Sequence, residues 1–203
     1  MRILGLFPTP VGIYDLDRSL SERELRFLSE QPQRPNRGNT TSEVTTVLDQ
    51  PPMRRFRTWV QTQVDHFFKE VYSPANADLR LRITQSWTNH TQGRQYHHKH
   101  THPNSLISGV FYVRSRDDHD RIFFFHEPHK TLKIPAGDFN AYNSESWWLE
   151  ARQNCLLLFP SHLSHMVEAL PEDADTRISL SFNTFPVGDM GGEYELTLLH
   201  LKA

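Results

Sequence analysis

The spacing of apolar residues changes once along this chain. Up to about residue 72 they recur every three or four positions, and from residue 79 they alternate with polar ones. The opening stretch, ending in "VGIYDL", reads as a strand. It is followed by "SLSERELRFLSEQ", where Ser21 and Glu24 have the spacing of a capping box ahead of a helical pattern. A second helix fits "MRRFRTWVQTQVDHFFKEV": Met53, Phe56, Trp59 or Val60, Val64, Phe67 and Val71 form one apolar stripe, and Pro51 and Pro52 precede it. The segment between the helices, Gln31 to Gln50, has few large apolar residues and many Pro, Asn and Thr. A connection of that length reads either as mobile chain or as a lid over a site.

In "LRLRITQSWTN", Leu79, Leu81, Ile83, Gln85, Trp87 and Asn89 share one face. Further strands are expected at "SGVFYV", "RIFFF", "TLKI", "SWWLEA", "NCLLLF", "SHMVEAL", "RISLSFN" and "EYELTLLHL". Two helices followed by many short strands with turn residues between them argue for a mainly β protein, an antiparallel sandwich or barrel. Helices do not alternate with strands and no Gly-rich fingerprint is present, which argues against a dinucleotide-binding fold.

Composition adds bounds. The chain has 203 residues, 37% of them apolar, and its aromatic residues are spread along its length. That suits one compact domain over 1–203, with a strand-plus-helix part at 1–78 and a β core at 79–203. With 22 basic and 24 acidic residues intermixed, a nucleic-acid partner is not expected. The single cysteine, Cys155, sits among apolar residues and reads as a small core residue, so the fold asks for no oxidising compartment. The apolar runs are too short to span a membrane, and the Pro-broken start does not read as a signal peptide. A cytoplasmic location is the expectation.

The candidate chemistry lies in "YHHKHTHPNS", where four of the 12 histidines fall within six positions. In extended chain, residues two apart project to one face about 7 Å apart, so His100 and His102 can converge on one metal ion. His98 shares their parity and His97 points the other way. A third ligand must come from elsewhere, and "LLLFPSHLSHMVEAL" offers His162 and His165, the latter opening a strand. Twelve residues on, Arg177 and Ser179 share a strand face in "RISLSFN". A buried arginine needs an anion, and a carboxylate gripped by Arg177 with a hydrogen bond from Ser179 would supply one; a structural ion pair is the plainer alternative.

These stretches, with "LFPTPVGIYDL" and "FHEP", resemble the 2-oxoglutarate/Fe(II)-dependent oxygenases of bacteria and marine phages. The resemblance implies a double-stranded β-helix, a cupin-like jelly roll with the N-terminal helices packed outside it. It implies Fe(II) held by His100, His102 and His165, and 2-oxoglutarate gripped by Arg177 and Ser179. Asn89, Tyr112 and Asn183 would line the cavity, and the substrate would be a small molecule or a peptidyl group. One departure stands out, because His102 occupies the position where the superfamily usually has a carboxylate. Glu127 is an alternative source of one. Two other readings stay open: a three-histidine dioxygenase that uses no 2-oxoglutarate, and a non-catalytic jelly roll with a metal site.

Overall fold

The computed structural model describes residues 1–117, 119–126 and 134–202. In chain order the elements are β1 (Gly12–Asp15), α1 (Glu22–Ser29), β2 (Gln33–Pro35), β3 (Thr40–Ser42), two short 3-10 turns (Val47–Asp49 and Pro51–Met53) and α2 (Arg54–Tyr72). The β core follows: β4 (Arg80–Thr91), β5 (His97–His100), β6 (Ile107–Arg114), β7 (Arg121–Phe125), β8 (Ser146–Glu150), β9 (Cys155–Pro160), β10 (Ser164–Val167), β11 (Arg177–Met190) and β12 (Leu199–Leu201). The larger sheet runs β1-β9-β6-β11-β4-β3-β2, with β12 paired to β11, and the smaller runs β5-β10-β7-β8. Every pairing between these strands is antiparallel. The expected jelly roll with helices outside is the architecture observed.

Two apolar layers follow from the strand periodicity. On the outer face of the larger sheet, Phe111, Leu156, Leu158, Ile178, Leu180 and Phe182 pack against Phe56, Val60, Val64 and Phe67 of α2. On the inner face, Val110, Leu157 and Phe159 meet Ile122, Phe124 and Val167 of the smaller sheet. Covered on both sides, "CLLLFP" is buried at every position, which is why its sequence shows no alternation. Cys155 is buried there, as its apolar neighbours suggested. The capping box also forms: Glu24 N–H donates to Ser21 Oγ (3.3 Å), and Ser21 N–H donates to Glu24 Oε2 (2.8 Å). Among the described residues, no helix is long and apolar enough to cross a membrane.

Gly109 lies where the outer layer is tightest. A Cβ there would overlap the Phe182 ring and come within 2.9 Å of Leu158 Cδ2. Gly109→Ala is expected to cost about 1–3 kcal/mol by overpacking, measured as a lowered urea midpoint with an unchanged slope.

Three expectations need correction. The segment 31–50 is not a free loop: β2 and β3 form a hairpin on the edge of the larger sheet, and Thr41, Ser42, Val47 and Leu48 are buried. Its Thr-rich sequence pairs as strand, and Ser42 Oγ and Ser86 Oγ accept from the backbone N–H groups of Thr88 and Leu48. The opening strand is confined to Gly12–Asp15; the preceding residues, with Pro8 and Pro10 among them, pair with no strand. The last strand is confined to Leu199–Leu201, because β11 continues to Met190 and the chain must reverse through a turn at 191–198 before pairing back. The strand expected at 131–134 and the carboxylate of Glu127 lie outside the described residues, apart from Ile134, which is in no strand.

Candidate metal centre

β5 and β10 are neighbours in the smaller sheet, with His100 opposite His165. His102 lies just past β5, where its N–H donates to the Ser161 carbonyl (2.9 Å) and so holds the chain beside the start of β10. The three rings converge. Their centroids are 4.4 Å (His100–His165), 4.8 Å (His100–His102) and 5.1 Å (His102–His165) apart, and one nitrogen of each lies within 4.8 Å of the others.

The backbone fixes which nitrogens face inward. His100 Nδ1–H donates to the His98 carbonyl (2.7 Å), and His165 Nδ1–H donates to the Leu163 carbonyl (2.9 Å). In each neutral ring the lone pair is therefore on Nε2, the arrangement that metal-ligating histidines show. His102 Nε2 stands 3.3 Å from His165 Nε2. Two nitrogens bound to one ion at about 2.1 Å are roughly 3.0–3.4 Å apart for octahedral to tetrahedral angles. The spacing fits a shared ion.

Burial keeps these rings neutral. It pushes the His165 pKa down to about 3 and the His102 pKa down to about 4, with His100 adding repulsion in both cases. The His100 pKa is also lowered, chiefly by burial. A neutral imidazole is the form that binds a metal.

The structure corrects the strand parity around this group. His97, expected to face away, stacks on His100 with ring centroids 4.6 Å apart and planes inclined at 18°. A register shift between the β10 residues paired with His97 and His100 turns it inward. His97, His98 and His100 make a second, looser group that shares His100 with the first. His162 is exposed and joins neither group. No carboxylate joins the ligand groups found among the described residues.

The cation expected from "RISLSFN" is buried on the inner face. Arg177 is 5% exposed, and its Nη1 lies 3.6 Å from Asp120 Oδ1 while its Nη2 donates to the Glu168 carbonyl (3.2 Å). Asp120 is itself held by Arg116, whose N–H donates to Oδ2 (3.0 Å) and whose Nη2 donates to Oδ1 (2.9 Å). Burial draws the Arg177 pKa down, and the nearby Asp120 and Tyr112 oppose this. The structural ion pair therefore exists, yet two guanidinium groups share one carboxylate and the cluster keeps a net positive charge.

Tyr112 is buried beside this cluster and its hydroxyl has no partner among the described residues. Asn89 donates from Nδ2 to Ser181 Oγ (2.9 Å) and more weakly to Ser179 Oγ (3.4 Å), leaving its own buried Oδ1 without a donor. An unpaired buried hydroxyl beside an under-neutralised arginine is what an absent carboxylate ligand would leave behind. The residues present thus fit a metal ion and, beside Arg177, a carboxylate. Asn183 differs, because its Oδ1 already accepts from Ser108 Oγ (2.9 Å).

Sequence reasoning missed Asp120 and Arg116, which lie in a charge-rich turn with no periodicity to mark them. It also passed over Trp87, whose half-buried ring lies 5.8 Å from that of His102. Trp87 sits on the same alternating face as Asn89, and that parity was the available signal. The two surface clefts beside α2, one lined by Leu16, Arg18 and Trp59 and one by Arg57, Gln61 and Arg82, share no residue with the histidine group.

Comparison with known proteins agrees with this picture. Residues 85–183, a little under half of the chain, match a family described as "Putative 2OG-Fe(II) oxygenase". That span contains the three converging histidines, Arg177, Ser179, Asn89 and Tyr112. The structure resembles a 2OG-Fe(II) oxygenase family oxidoreductase from Burkholderia pseudomallei, with 12% identity over 86% of this chain and 84% of that one and a TM-score of 0.58. It also resembles a prolyl-4-hydroxylase from Pseudomonas putida (12% identity, 86% and 92% covered, TM-score 0.54). A third likeness is to HygX from Streptomyces hygroscopicus, solved with nickel and 2-oxoglutarate (11% identity, 88% and 83% covered, TM-score 0.56). At these identities the likeness establishes the jelly-roll fold. No curated protein gives a significant sequence match. The resemblance read from the sequence agrees with the family matched over residues 85–183, and the expected jelly roll agrees with the fold of these structures.

Proposed function

We propose that the protein is an Fe(II)- and 2-oxoglutarate-dependent oxygenase that hydroxylates a small-molecule or peptidyl substrate. The observation that carries this reading is the pairing of a convergent, neutral three-histidine group with a buried, under-neutralised arginine inside one jelly roll. His100, His102 and His165 would hold the iron, His100 and His165 through Nε2 atoms whose orientation is set by backbone carbonyls. Arg177 would take the distal carboxylate of 2-oxoglutarate, with hydrogen bonds from the Tyr112 and Ser179 hydroxyls and with Asn89 beside them. When bound, the iron and the keto acid would supply the oxidant for a substrate C–H bond. With only imidazole ligands the ion keeps its full positive charge, which favours an anionic co-ligand.

The test is an anaerobic titration of the Fe(II)-loaded protein with 2-oxoglutarate, read as the visible charge-transfer band. The band is expected in the wild-type chain and absent in His165→Ala. In Arg177→Ala it should require at least about tenfold more keto acid, the loss of one charge-assisted carboxylate contact. Iron binding with no band at any keto-acid concentration would overturn the reading in favour of a site that does not use 2-oxoglutarate.

A further inference from the structure

Resting on the oxygenase reading, the inner face of the larger sheet points to a substrate class. Directly opposed residues on neighbouring strands project to the same face. Tyr112 stands opposite Ser179, Ser179 opposite Asn89, Asn89 opposite Thr41, and Thr41 opposite Arg34. The five form one row across β6, β11, β4, β3 and β2. Every member is polar, although the neighbouring inner positions Val110, Leu157 and Phe159 are apolar. Tyr112, Ser179, Asn89 and Thr41 are at most 9% exposed, whereas Arg34 is exposed, so the row runs from the deepest part of the site out to solvent.

The outer end of the row is firmly placed. The turn of the β2–β3 hairpin closes on itself, with Asn36 Nδ2 donating to Asn39 Oδ1 (2.9 Å). It docks onto the histidine segment on one side: Tyr96 N–H donates to the Gly38 carbonyl (3.0 Å), and His98 Nδ1–H donates to the Arg37 carbonyl (3.1 Å). Gly38 sits at φ +91°, and a Cβ there would press on the Tyr96 carbonyl, so a side chain is excluded at this contact. On the other side, buried Asn39 donates to Thr91 Oγ1 (3.4 Å). The hairpin is thus a wall that joins the edge of the larger sheet to β5. Arg34 stands on its inner side with no ion pair or hydrogen bond among the described residues.

We propose that Arg34 binds an anionic group of the substrate, and that the substrate is a small organic anion distinct from the keto acid. Two strand spacings separate Arg34 from Asn89, roughly 10 Å. That interval suits a molecule whose charged end meets Arg34 while its body rests on the half-buried face of Trp87, next to His102. The deep cation, Arg177, is reserved for the keto acid, so the two anions occupy opposite ends of one polar track.

The test uses N-acetylphenylalanine, which has an aromatic body and a carboxylate, and its uncharged primary amide. Each is titrated calorimetrically into the full chain loaded with Fe(II) under anaerobic conditions, with 2-oxoglutarate present. The acid is expected to bind at least about tenfold more tightly than the amide. That preference should vanish in Arg34→Gln and persist in Arg37→Gln, whose side chain makes no contact that holds the hairpin. If acid and amide do not differ, whether both bind or neither does, the proposal is overturned. It is also overturned if Arg34→Gln keeps the preference, which would leave Arg34 as a solvated charge guarding a sheet edge. Failure of the keto-acid titration would strike the oxygenase reading instead and leave this comparison of acid with amide intact.

Discussion

Asp120→Ala is expected to lower the unfolding free energy by about 3–5 kcal/mol, the cost of breaking a buried ion cluster by removing one partner. Asp120 is 3% exposed and is the only carboxylate paired with Arg177 among the described residues. Its loss would leave Arg177, equally buried, with a single carbonyl acceptor from Glu168. It would also free the Arg116 guanidinium and orphan the Arg116 N–H. Asp120→Asn keeps an oxygen for the Arg116 N–H and should lose less. Urea unfolding of the three proteins at neutral pH gives the ranking. A wild-type midpoint for Asp120→Ala would mean that Arg177 can relax to solvent, and its burial could then no longer be used to argue for an anion in the pocket.

The second large effect is acid sensitivity of the metal-free protein. In the folded state His102 and His165 hold their pKa values at about 4 and about 3, while in the unfolded chain they titrate near 6.5. Below the unfolded value, protons bind the unfolded chain and not the folded one, so stability falls with pH. It is fully present above about 6.5 and is lost progressively down to the folded pKa values. Each of the two histidines removes about 1.4 kcal/mol per pH unit in that window. Between pH of about 6.5, where the unfolded rings are half protonated, and about 5, the pair would cost roughly 3 kcal/mol. Saturating metal should delay the loss, because the bound ion holds the same nitrogens in the unprotonated state. Urea midpoints measured at both pH values, with and without zinc, check this. A metal-free protein equally stable at both would show that the rings are not held neutral by burial.

Much of this organisation was legible in the sequence, and the exceptions have identifiable causes. Period-two alternation placed β4, but the single face it assigned to Leu79, Leu81, Ile83, Gln85, Trp87 and Asn89 is broken by a register shift between Ile83 and Gln85. Leu81 and Ile83 pack in the outer layer against α2, while Trp87 and Asn89 lie on the inner face. The apolar stripe of α2 and the capping box of α1 formed as their spacing requires, since local hydrogen bonds and burial agree there. The hairpin β2–β3 was not legible, because its strands are three residues long and gain their order from β4 rather than from any pattern of their own. The inward turn of His97 depends on an irregularity in the pairing of β5 with β10, where β5 carries an extra residue between the pairs His100–His165 and His97–Val167, a property of pairing that one strand's parity cannot reveal. Asp120 and Arg116 meet Arg177 only through tertiary contact across more than fifty positions. The histidine pair His100 and His102 was visible as a spacing, while His165 stood out from the residues only as one of two candidates and was singled out by the family resemblance. The pairing of β5 with β10 supplies the physical reason it lies beside them.

The hydrogen bonds that orient His100 and His165 share one form: each ring donates to the backbone carbonyl two residues before it. An orienting side chain can be lost to a single base change, but a carbonyl is supplied by whatever residue occupies the position. Replacing Leu163 would alter local packing and replacing His98 would lose its bond to the Arg37 carbonyl, yet either change keeps the backbone oxygen that orients the ring. The orientation of these two rings is therefore insulated against drift in its immediate surroundings, so a lineage could rebuild the walls around them while the histidine geometry passes unchanged from one sequence to the next.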